Sequence, residues 1–123
     1  MNVISTDKAP AAIGPYSQAA VVGNLVYTSG QIGIDPATGC IAPTVEEQAH
    51  QVFQNLTALL KAAGTDIGKT VKTTVFIKDM EDFASVNAIY AQYFTQPYPA
   101  RSCVEVSRLP KDVLIECEVI AQK

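Results

Sequence analysis

The sequence predicts an α+β fold in which a mixed sheet carries two helices on one face, in the order β-β-α-β-α-β-β. Three observations lead there. Two segments repeat apolar residues at helical spacing, whereas five others favour strand by alternation or composition, and the two kinds interleave along the chain. The chain has 123 residues, 48% of them hydrophobic and 17% charged, which suits a packed core and a single domain over residues 1–123. With no Trp and only 7% aromatics, that core must be built mainly from Val, Ile, Leu and Ala.

Residues 18–22 and 25–28 favour strand, and the Gly23-Asn24 pair between them is a two-residue hairpin signal, because Gly tolerates positive φ. An extra strand is expected at Val3-Ile4. Asp35-Pro36-Ala37-Thr38-Gly39 is a loop, its Pro and Gly excluding regular structure. Thr44 opens a helix, with Glu47 three residues later in capping-box position. Val45, Ala49, Val52, Phe53, Leu56, Leu60 and Ala63 then make one apolar stripe that Gly64 is placed to end. Val71, Thr73, Val75 and Ile77 alternate with Lys72, Thr74 and Phe76 in a strand. A second helix over 82–94 carries Phe83, Val86, Ile89, Tyr90 and Tyr93, and Pro97 and Pro99 terminate it. Two strands, 101–106 and 113–121, complete the set around Leu109-Pro110-Lys111-Asp112.

Right-handed crossovers place both helices on the same face of the sheet and leave the other open. The last strand nevertheless is apolar on both sides, with Leu114 and Ile120 on one and Val113, Ile115 and Val119 on the other. An uncovered apolar face of that kind marks an interface, so a homo-oligomer joined through the helix-free face is expected. The net charge of −3 and the scattered Lys and Arg residues argue against nucleic acid as a partner. No apolar run approaches a membrane span, and the first eight residues lack the pattern of an export signal. Three cysteines, Cys40, Cys103 and Cys117, lie without CxxC spacing, which suits a reducing cytoplasm. The lone His50, read as lying on a solvated helix face, removes His-based triads and most metal sites, so no metal is expected. Any chemistry must use carboxylate, Arg, Tyr, Ser or Cys.

Two strands hold charge where apolar residues are expected. Arg101, Cys103 and Glu105 project to one face of their strand, and Glu116 and Glu118 share a face with Leu114 and Ile120. A half-buried guanidinium and carboxylate each need a partner. One reading is a structural Arg–Glu ion pair; the other assigns Arg101 to an external carboxylate, which its planar fork of donors matches, and leaves Glu116 to hold water. Tyr16 and Ser29-Gly30 lie in Gly-flanked segments able to expose hydroxyls and a backbone N–H.

The segments Ala11-Ala12-Ile13-Gly14-Pro15-Tyr16-Ser17-Gln18, Tyr27-Thr28-Ser29-Gly30-Gln31-Ile32, residues 71–79, Pro99-Ala100-Arg101-Ser102-Cys103-Val104-Glu105-Val106 and Leu109-Pro110-Lys111-Asp112-Val113 with Ile115-Glu116-Cys117-Glu118 closely resemble the RidA/YjgF family in order along nearly the whole chain. The resemblance implies a trimer of chorismate-mutase-like α+β domains with three intersubunit clefts. It implies hydrolysis of 2-aminoacrylate, 2-iminopropanoate and 2-iminobutanoate to 2-keto acids and ammonia, with no cofactor. The family's carboxylate-binding Arg falls on Arg101 and its water-positioning acid on Glu116. Tyr16, Ser29, Gly30, Asn87 and Cys103 match positions lining the same cleft, Asn87 in a supporting role and Cys103 as a small apolar wall. One departure is the short connection over 95–98, where some members carry a longer loop that bears on side-chain preference. The alternative is a ligand-sensing regulatory module of the same fold that binds a keto acid without turnover; a ribonuclease, for which an acidic chain with a single His is poorly equipped, and a holdase chaperone stand behind it.

Overall fold

The computed structural model describes all of residues 1–123. Its elements are β1 (Asn2–Ile4), β2 (Ala19–Val22), β3 (Leu25–Thr28), β4 (Gln31–Ile32), α1 (Val45–Ala62), β5 (Thr70–Ile77), α2 (Phe83–Tyr93), β6 (Ala100–Glu105) and β7 (Ile115–Gln122). The predicted α+β order holds, with the anticipated strand at residues 2–4 and a two-residue strand, β4, that the sequence did not announce. The sheet runs β1-β2-β3-β7-β5-β6, with β4 paired to β7 beyond the end of β3. Only β5 and β6 are parallel, which is what a helical crossover between them requires.

Gly23 turns the β2–β3 hairpin at φ +58°. The Thr44 hydroxyl caps α1 by accepting from the Glu47 N–H at 3.2 Å. At its other end the helix closes in a Schellman motif: Gly64 N–H donates to Lys61 C=O, Thr65 N–H donates to Leu60 C=O, and Gly64 stands at φ +85°. The whole predicted stripe of α1 is buried, joined by Leu59, and packs with Val75, Ile77, Ile115, Cys117 and Val119 on the inner face of the sheet. Phe53 is the hub between the helices, its ring 5.7 Å from Tyr90, 5.3 Å from Tyr93 and 5.6 Å from Phe94. No helix is long and apolar enough to cross a membrane.

Three expectations are corrected. Val71 is exposed, because a bulge between Thr70 and Lys72 shifts the register and turns Thr70 inward in its place. Phe83 is more than a third exposed and leaves the core stripe of α2, whereas Phe94, just past the helix, is buried. His50 is half-buried rather than solvated, its Nδ1 lying 3.0 Å from the Tyr93 hydroxyl across the helix pair.

Candidate active site

Alternation along β7 divides its residues between two environments. Ile115, Cys117, Val119 and Ala121 enter the core, and Glu116, Glu118 and Ile120 face the helix-free side. On that side Glu116 and Glu118 line a cavity of 420 Å³ together with Tyr16, Ser29, Gly30 and Gln31. Ile13, Ile32, Ile34, Pro10 and Pro110 form its apolar wall.

The segment over 10–17 hangs over this cavity from Gln18, whose buried side chain accepts from Thr6 N–H and donates to Thr6, Ala9 and Pro10 carbonyls. Tyr16 folds back so that its hydroxyl accepts from Ile13 N–H at 3.1 Å. The Ser29 hydroxyl donates to Ser17 C=O at 2.6 Å, which leaves only its lone pairs for a ligand. A side chain at Gly30 has no room unless Glu116 moves, since a Cβ there would sit 1.9 Å from Glu116 Oε1. The carboxylate thus lies directly on the Gly30 backbone. Burial, and next the neighbouring Glu118, push the Glu116 pKa above its ordinary value.

Two buried amides that sequence reasoning missed fix the floor. Asn55 on α1 donates to Ile32 and Ile34 carbonyls at 3.1 and 2.9 Å. Gln48 accepts from Leu114 N–H at 2.8 Å and donates to Ala42 C=O at 2.9 Å. Gly33 lies so close to α1 that a Cβ would meet the Gln48 carbonyl at 2.9 Å. Amides among the apolar positions of a helix were the available signal, because a buried carboxamide must satisfy its hydrogen bonds.

Arg101, Asn87 and Cys103 are elsewhere. Arg101 pairs in register with Thr73, which faces α2, so its side chain lies on the helix-bearing side of the sheet at the β6 edge. Its guanidinium donates to Asn87 Oδ1 at 2.7 Å and lies 4.8 Å from the Tyr90 ring centre and 5.6 Å from that of Phe83. Cys103, on the same face, has its thiol pKa raised by burial, against the opposing pull of Arg101. The structural Arg–Glu pair does not form within the chain, whose one ion pair joins Arg108 to Asp112. Register explains this: Glu116 aligns with Phe76 and Val104, three residues along from the row of Arg101, Thr73 and Val119, an odd offset that puts it on the opposite face.

The chain therefore presents two partial sites, an acidic cavity on the open face and a stacked, singly hydrogen-bonded guanidinium on the other side of the edge strand. Such an architecture defines an α+β protein whose cavity carboxylates and oriented guanidinium are set on opposite faces of one sheet. Over residues 6–123 the chain matches the family described as Endoribonuclease L-PSP. It belongs to that family, the RidA/YjgF group anticipated from its motifs. It is 57% identical over 123 residues to the 2-iminobutanoate/2-iminopropanoate deaminase of Salmonella typhimurium, covering 98% of this chain and 96% of that protein. Among solved structures, the YjgF gene product of Escherichia coli superimposes with a TM-score of 0.95 at 52% identity, covering 100% and 99% of the two chains. Escherichia coli TdcF with bound serine superimposes equally well, at 48% identity and the same coverage.

Proposed function

We infer that this chain hydrolyses reactive 2-imino acids and their enamine forms to 2-keto acids and ammonia. The carrying observation is a half-buried carboxylate, Glu116, held against a glycine backbone in a cavity with an apolar wall. The deaminase names of relatives above half identity point the same way. In this reading the protein works as a homotrimer packed through its open face, where Val3, Val22, Tyr27 and Val104 are exposed. Packing of that kind brings the Arg101 edge of one subunit to the Glu116 cavity of the next, and the site is an intersubunit cleft.

Arg101, oriented by Asn87 and by the Tyr90 ring, takes the substrate carboxylate. Glu116 accepts a hydrogen bond from a water aimed at the C2 imine carbon and takes its proton as the C–O bond forms and the C=N pair moves onto nitrogen. The raised Glu116 pKa suits a group that must then return this proton to the carbinolamine nitrogen. In the collapse Glu116 passes the hydroxyl proton to that nitrogen as the C–N bond breaks, so ammonia and the 2-keto acid leave and the carboxylate is ionised again. Ser29 accepts from the substrate N–H, as its own proton is committed to Ser17. Tyr16 and the Gly30 backbone close the cavity, and Cys103 contributes a small apolar surface beside Arg101.

The acidic cavity repels a phosphodiester, and the lone His50 is engaged with Tyr93 away from it, so the site offers little to ribonuclease chemistry. The test couples a threonine dehydratase to this protein and follows keto-acid release. Wild type accelerates release, and Arg101→Ala and Glu116→Ala each remove about 100-fold or more of that acceleration. A folded wild-type protein without effect sinks the reading.

A further inference from the structure

Glu118 has no part in the reaction as described above, yet it shares the cavity with Glu116. The two project from β7 two residues apart, on the same face. Neither carboxylate accepts a hydrogen bond from the chain, and the only ion pair lies elsewhere, between Arg108 and Asp112. Lys72, on the neighbouring strand, stands opposite Ile120 rather than opposite either acid. The other residues lining the cavity are uncharged, and the hydroxyl of Ser29 turns its lone pairs outward. The cavity thus sets two like charges on one wall, with Tyr16 and Gln31 as neutral donors beside them and no cationic residue in its lining. Such a surface holds a cation that donates hydrogen bonds.

We propose that Glu118 is a second catalytic carboxylate of this site, one that accepts from the protonated substrate nitrogen while Glu116 handles the water. The proposal rests on the imine-hydrolase reading and adds the charge state of the substrate: the site takes the iminium form of a 2-imino acid. A charge count gives the reason. Arg101 of the neighbouring subunit balances the substrate carboxylate, so only a cationic nitrogen offsets the acids of the cavity. A 2-keto acid, with the same carboxylate but a neutral oxygen at C2, leaves both uncompensated. Glu118 therefore favours substrate over product and, by holding the nitrogen, turns C2 toward the water on Glu116. When the carbinolamine nitrogen is protonated, the cation forms again at the same carboxylate and departs as ammonia after the C–N bond breaks.

The experiment measures wild type, Glu118→Gln and Glu118→Asp in the dehydratase-coupled assay, together with inhibition by 2-oxobutanoate. Circular dichroism and light scattering verify that each variant keeps its fold and assembly. Glu118→Gln lowers kcat/KM for the imine about 100-fold and leaves inhibition by 2-oxobutanoate unchanged or tighter. Glu118→Asp, which keeps the charge, recovers most of the lost rate. Unchanged kcat/KM in Glu118→Gln overturns the proposal, as does a parallel loss of turnover and 2-oxobutanoate binding, the mark of a merely structural residue. Wild type without activity overturns the underlying reading and this inference with it, whereas an active wild type with an equally active Glu118→Gln overturns this inference alone.

Discussion

Strands β6 and β7 treat their charged residues in opposite ways. On β6 the guanidinium of Arg101 is held by an amide acceptor and an aromatic face, so it is oriented before any ligand arrives. On β7 the carboxylate of Glu116 is placed by exclusion: the missing side chain of Gly30 makes room for it, burial raises its pKa, and no donor of the chain satisfies it. One charge is finished within the subunit and the other is left wanting. Because the two occupy opposite faces of the sheet, a single chain does not bring them together, and on the proposed trimer the difference between the strands is a division of labour between subunits.

The strongest way to break this comparison is complementation. Arg101→Ala and Glu116→Ala proteins each lose most activity, but if the proposed trimer holds, unfolding and refolding them together generates clefts that join an intact Arg101 to an intact Glu116. About a quarter of the clefts in a random mixture are of this kind, and keto-acid release returns in that proportion. A mixture as inactive as its parents places both residues in one subunit's site and ends the split-cleft reading.

A smaller effect is expected from Gly30→Ala. The new methyl occupies the place of Glu116 Oε1 and displaces the carboxylate, so kcat falls by up to about 100-fold with the oligomer intact, as for an ångström-scale misplacement of a catalytic group. Unchanged kcat would show that the position of the carboxylate does not matter. The smallest effect is on pH dependence. In the proposed mechanism Glu116 acts ionised, and its pKa is raised chiefly by burial, so kcat/KM is expected to fall on the acid side with a midpoint above that of an ordinary glutamate. Glu118→Gln removes the secondary cause, the neighbouring charge, and moves that midpoint to lower pH. For folding the sign is opposite: a carboxyl whose folded pKa lies above its unfolded value costs stability as pH rises through that interval, so the most active form of the site is also its less stable one.

Much of this was legible because it depends on local periodicity. The stripe of α1, its Thr44 cap and Gly64 stop, and the Gly23 turn follow from spacing of a few residues and formed as read. Alternation also sorted Arg101 from its neighbours on β6 and Glu116 from its neighbours on β7. What alternation on separate strands cannot supply is their relative phase, which depends on the pairing of both with β5, and so the Arg–Glu pair was a reasonable expectation that register excluded. The bulge at Val71 and the short β4 were hidden for the same reason. β4 is held by Asn55 of α1 and by pairing with β7, contacts from far along the chain that no local pattern announces.

Gln18 has a last consequence. Its carboxamide makes four hydrogen bonds into residues 6–10, and the cavity wall over 10–17 runs on from that knot. A chain terminus ordinarily frays alone, but here residues 6–10 cannot lift away without breaking a buried amide free from the start of β2. The Thr6 amide is therefore expected to exchange together with the start of β2, and its protection reads out whether the entrance to the cavity is assembled.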